Sequence, residues 1–164
     1  MRKAKYQYLF TVVCFLLAIH SYAQLATPFL GSKADRDSLK NTSLAIRAAF
    51  ARGDVNGILL YHHPNVTKAP DYRTYQIGIE NLRPGLKGTL ENFTLEFVEN
   101  NTESLYINGD TAVEQTLFTI KGTPKVKGDP FIFKGRSMIV YIRYKGSPTG
   151  WATIREMIQP ETAP

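Results

Sequence analysis

NGDTAVEQTLFTIKG, residues 108–122, carries the pattern that decides the fold. Asn-Gly opens it, a pair favoured in tight hairpins, and the residues that follow alternate with a period of two. Ala112, Thr116, Phe118 and Ile120 fall on one side of such a strand, Val113 and Leu117 on the other. The same period runs in both directions along the chain. Upstream, Phe93, Leu95 and Phe97 alternate in NFTLEFVE (92–99), and SLYI (104–107) leads into the turn. Downstream, FIFKGRSMIVYIRYKG (131–146) and GWATIREMIQP (150–160) read as long strands joined by loops containing Gly and Pro. In 138–144, Met138, Val140 and Ile142 alternate with Ile139 and Tyr141, so neither side is simply solvated.

Before residue 92 the period is helical. Leu39, Ser43, Ile46, Ala49 and Phe50 predict a helix from about Asp35 to Arg52, ended by Gly53. Asp54 caps a second, from Val55 to about His62, which Pro64 should stop by restricting His63. Ile79, Leu82 and Leu86 predict a third over about 79–89, kinked at Pro84. Helices first and an antiparallel meander afterwards make an α+β domain, with three helices packed on one face of a curved antiparallel sheet.

The N-terminus reads as a signal peptide. Arg2, Lys3 and Lys5 precede the apolar run Leu9–Ile19, and Ser21-Tyr22-Ala23 supplies the small residues of a cleavage site. Cleavage near Ala23/Gln24 predicts a secreted or periplasmic protein. Its parts would be a signal peptide (1–23), a lead-in (24–34), one domain (35–160) and a tail (161–164). The apolar run is shorter than the roughly 20 residues of a membrane span. Cys14 is the only cysteine and lies within that run, so the remainder has no disulfide framework and no thiolate metal site. Setting aside the three signal cations lowers the net charge from +6 to +3. Lys125 and Lys127 are too few for a nucleic-acid footprint.

The chain resembles the NTF2-like superfamily, in its SnoaL-like/DUF4440 branch. The resemblance rests on IRAAFARGDVNGILLYHHPNV (46–66), GIENL (78–82), INGDTAVEQ (107–115), GRSMIVYIRYKGSPTGW (135–151) and ATIREMIQP (152–160), in the family's order. It implies a cone, with a bent sheet around three helices and an apolar pocket, and in many members a homodimer. Members include enzymes and non-catalytic binders, so the fold does not select a function. Ketosteroid isomerases in the superfamily use a carboxylate base, a tyrosine and a protonated aspartate. Those three positions fall here on Ala69, Ile46 and Val140, none of which can move a proton. A shift of one or two residues would substitute Asp71 or Tyr141.

The same alignment puts Arg136 and Arg155, and with them Gln115, on the pocket side, and Glu114, Tyr141 and Glu156 on the other, towards a partner. His63 is expected at the pocket mouth, with Tyr72 and Tyr75 at its rim. His62 and His63 are neighbours and do not share a face, and no third ligand stands close by, so no metal site is expected. His62 is expected to close the second helix, where positive charge suits the dipole. The reading that follows is an exported small-molecule binder with an apolar pocket, no cofactor, no catalytic residue and a homodimer through the sheet. Paired arginines in the cone would favour an acidic ligand. The alternatives are an acid/base enzyme acting on a polyketide- or steroid-like substrate, and a structural dimer domain with a filled cone.

Overall fold

The computed structural model describes residues 29–161, so the expected signal peptide lies outside the described residues. From Gly31 onwards the chain forms one compact unit, α+β in class, with helices leading into a curved, unclosed six-stranded sheet. Among the described residues no helix is long and apolar enough to cross a membrane.

Helix α1 (Lys33–Arg52) begins two residues before the expected start. Ser32 is its cap: the hydroxyl accepts from the Asp35 amide at 3.1 Å, and the Asp35 carboxylate accepts from the Ser32 amide at 3.1 Å. Asp35 is thus the third helical residue rather than the first. Gly53 ends the helix at φ 71, a conformation open to glycine. Helix α2 (Val55–Leu59) is capped by Asp54, whose side chain accepts from the Gly57 amide at 2.8 Å.

α2 stops short of the expected end, and His62 opens a strand instead. Strand β1 (His62–Ala69) pairs in parallel with β6 (Trp151–Pro160), from His62↔Thr153 to Ala69↔Met157. The register shifts between His62 and Thr67, so Pro64, which lacks an N–H, sits where the ladder is already interrupted. The sheet is therefore antiparallel except for this pair. Strand β2 (Gln76–Ile77) adds an edge beside β1, and helix α3 (Ile79–Asn92) follows, continuing through Pro84.

Strand β3 (Phe93–Asn108) runs unbroken, absorbing two irregularities that the sequence shows as a gap in alternation. It turns into β4 (Thr111–Pro124) through Gly109-Asp110, with Gly109 at φ 55. Strand β5 (Phe131–Arg143) lies between β4 and β6, giving the order β2-β1-β6-β5-β4-β3. α1 packs on the inner face of the sheet, where Leu39 meets Ile107, Ala112, Tyr141 and Trp151. A second cluster joins Ala49, Ile58, Leu90 and Leu95, and a third Leu59, Val66 and Leu82.

The inner face is settled by burial. On β4 it carries Ala112, Glu114, Thr116 and Phe118; on β5 it carries Gly135, Ser137 and Tyr141. This reverses the expected orientation of β5: Tyr141 is 1% exposed, while Val140 and Arg136 lie on the outer side.

Candidate functional site

Between α1 and the inner face lies a cavity of about 140 Å³. Its wall is mainly apolar, with Ile46 and Phe50 from α1, Phe97 from β3, Phe118 and Ile120 from β4, and Ile139 from β5. Each strand residue comes from the inward set of its strand, so the alternation of the sequence is what lines the hollow.

Polar groups enter from α1 and from every strand but β2. His62 lies at the start of β1, 2% exposed, and its Nδ1–H donates to the Ile58 carbonyl at 2.9 Å. That bond satisfies a carbonyl of the last turn of α2 and leaves Nε2 as the unprotonated nitrogen. Lys68 Nζ stands 3.5 Å from Nε2 and forms an ion pair with Glu156. Burial, and then the ammonium of Lys68, push the His62 pKa down to about 4. The imidazole is neutral at neutral pH.

Tyr141 donates its hydroxyl to Glu114 Oε2 at 3.0 Å, and Glu114 Oε1 accepts from Thr102 Oγ1 at 2.8 Å. Burial, and then the neighbouring carboxylate, raise the Tyr141 phenol well above its ordinary value. Thr116 and Ser137 share a hydrogen bond at 2.8 Å across β4 and β5. Arg47, on α1, completes the polar lining, and its Nη1 donates to Ser43 Oγ at 2.6 Å. Among the described residues no group of three or more His, Cys, Asp or Glu side chains is placed to hold a metal ion.

None of the six residues expected to bind ligand lines this cavity. Arg136 forms a bidentate pair with Glu103, at 2.7 and 3.0 Å, on the outer face, where Gln115 Nε2 also donates to Glu103 at 3.2 Å. Arg155 is exposed and donates to the carbonyls of Asn65 and Ile154. The two arginines do share a side of the sheet, as the alignment implied, but it is the solvent side. His63 packs edge-on against Tyr144 at 4.9 Å, and its Nδ1 accepts from the Asn65 amide. Tyr72 and Tyr75 are exposed. Of the three aligned isomerase positions, Ile46 lines the cavity, Val140 faces outward, and Ala69 is the last residue of β1.

The expected sets stay together and are turned over as a block, because both sides of β5 are apolar and the alignment put Val140 inward. A residue inserted in β6 between the partners of Val140 and Tyr141 keeps Arg155 on Val140's side, so Tyr141 pairs with Thr153 and Val140 with Arg155. The inward set of β6 therefore changes from Thr153 to Glu156 and Ile158, leaving Arg155 outside. Tyr141 and Glu156, expected on the partner side, line the cavity, and Glu114, bonded to Tyr141, lies on the same inner face beside it. Arg47 carried a readable signal, since it lies four residues after Ser43 and three before Phe50 on the buried stripe of α1. Lys68 carried none, because β1 was not visible as a strand.

The sequence matches no family model, and no curated protein matches it. Solved structures match its backbone. A conserved protein from Planctomyces limnophilus superposes with a TM-score of 0.71 at 18% identity, over 79% of this chain and 100% of that one. A scytalone dehydratase-like protein from Novosphingobium aromaticivorans gives 0.70 at 9% identity, over 78% and 85%. An NTF2-like superfamily protein from Salmonella enterica gives 0.64 at 14% identity, over 77% and 91%. The chain has the NTF2-like fold.

Proposed function

We propose that this domain binds a small, mainly apolar molecule, about one substituted ring in size, in the cavity between α1 and the sheet. The observation that carries this reading is the cavity itself: about 140 Å³, apolar for most of its wall and polar at one side. A dry hollow of roughly 150 Å³ accepts benzene, whereas pockets for drug-sized ligands start at roughly 300 Å³. A steroid- or polyketide-sized substrate therefore fits poorly.

Binding is favoured over acid/base catalysis because the candidate proton-transfer groups are committed to one another. Tyr141 donates its hydrogen bond to Glu114, Lys68 is paired with Glu156, and His62, with a pKa near 4, is a weak base. The test is a calorimetric titration of single-ring and fused-ring compounds against the wild type and Ile139→Trp, which fills the cavity. Single rings should bind the wild type and not the variant. Equal binding of fused rings, or no effect of the variant, would overturn the size argument. Deuterium uptake from solvent into a bound ligand would favour the enzyme reading.

Two further parts of the reading concern the whole protein. We take residues 1–23 as a signal peptide removed on export, which intact-mass measurement from the exporting host would show as a chain starting at Gln24. The outer face of the sheet is taken as a homodimer surface. Val113–Val140–Arg155 and Gln115–Met138–Met157 form rows across it, with Met138 and Met157 exposed. Light scattering should give a dimer, and Met138→Lys with Met157→Lys a folded monomer.

A further inference from the structure

We infer that the ligand carries a carboxylate or similar acid group, and that Arg47 receives it where the cavity opens into the groove between α1 and β3. This deepens the cavity-binding reading and rests on it.

Four charged side chains of α1, β1, β4 and β6 surround the cavity or its opening: Arg47, Lys68, Glu114 and Glu156. Lys68 and Glu156 neutralise each other as an ion pair. Glu114 is held by two hydroxyl donors, Tyr141 and Thr102, and no cation of the described residues lies within ion-pair distance of it. Among the described residues Arg47 likewise has no carboxylate within 4.0 Å. Its hydrogen bond to Ser43 uses one of five N–H donors. A guanidinium beside an apolar wall, with most of its donors unspent, is matched by an acceptor group that takes two of them together.

Position makes the match specific. Ser43, Arg47 and Asn100 line both the cavity and a second hollow of about 350 Å³ running along α1. Arg47 therefore stands at the junction, with the ring-sized space on one side and the groove on the other. The groove continues past Lys40 and Arg36, one helical turn apart on the same stripe of α1. Asp37 and Glu114 also line it, but Asp37 is paired with Lys33. The ring would fill the cavity, the acid group would sit on Arg47 with the Asn100 amide beside it, and any longer substituent would leave along the groove.

The probes are benzoate and benzamide, which share a ring and differ in charge, titrated against wild type, Arg47→Met and Ile139→Trp at low salt. Wild type should bind benzoate at least about tenfold more tightly than benzamide, with the preference shrinking as salt rises. Arg47→Met should bring the two affinities level while keeping benzamide, and Ile139→Trp should lose both. Benzamide bound as well as benzoate by wild type, or a preference that survives Arg47→Met, overturns the acid-group inference and leaves the cavity reading intact. Neither probe bound overturns both. If Arg47→Met fails to fold, Arg47→Gln and the wild-type comparison decide the matter.

Discussion

Tyr141 and Glu114 sit on neighbouring strands, diagonal to each other, and the phenol donates to the carboxylate at 3.0 Å with both residues buried. The bond ties the central strand of the sheet to its neighbour at the edge of the cavity. Tyr141→Phe keeps the ring and removes the donor, leaving Glu114 with Thr102 alone. We expect a loss of about 1–3 kcal/mol in urea unfolding, the range for a buried charged acceptor that loses a partner. The double variant Tyr141→Phe/Glu114→Gln should lose less than the sum of the single changes. Additive losses would show that the pair does not couple.

His62 gives the fold a dependence on pH. Its pKa falls from 6.5 in the unfolded chain to about 4 in the folded one, chiefly through burial. Below pH 6.5 the unfolded chain takes up a proton that the folded chain refuses. Stability from this group is therefore complete above about pH 6.5 and declines as the pH falls towards 4, by roughly 3 kcal/mol in all. Imidazole NMR should place the His62 midpoint near 4. A His62 midpoint near 6.5 would remove this account.

Gly135 lies on β5 with its Cα close against the paired strand β6 and the Phe118 ring. A Cβ there would stand 2.8 Å from the Gln159 carbonyl oxygen and 3.1 Å from the Phe118 ring. The backbone oxygen belongs to the paired strand and has little room to retreat. Gly135→Ala should cost about 1–3 kcal/mol, an overpacking penalty, and lower the melting temperature. Gly88→Ala, on α3 with nothing within 4 Å of the added carbon, should stabilise slightly, by up to about 1 kcal/mol.

Arg143 lies with its guanidinium carbon 3.9 Å from the centre of the buried Trp151 ring and is ion-paired with Asp35 at the start of α1. One side chain thus links the end of β5, the start of β6 and the first turn of α1. Arg143→Met retains packing against the indole and removes the charge. We expect a loss of about 1–2 kcal/mol that diminishes at high salt. Trp151→Phe is a separate probe, because Trp151 Nε1 is buried with no hydrogen-bond partner among the described residues. Removing that N–H offsets part of the volume lost.

What the sequence alone determined was the part of the fold governed by local chemistry. Gly53 and Asp54 marked the break between α1 and α2, because a left-handed turn and a side-chain cap are written in single residues. Period-two alternation after residue 92 located β3 to β6, because a strand must separate its two faces. Which face turns inward was a tertiary decision. Both sides of β5 are apolar, so hydrophobicity alone could not choose between the set of Val140 and that of Tyr141. The packing of Leu39 against Tyr141 and Trp151 made the choice. The same holds for β1. HHPNVTKA reads as a helix end followed by loop because Pro64 breaks its pattern, and it becomes a strand only because β6 offers it a parallel edge 88 or more residues away. That pairing carries His62 and Lys68 to the cavity wall, beyond what local spacing can reveal, since neighbours across a sheet need not be neighbours in the chain.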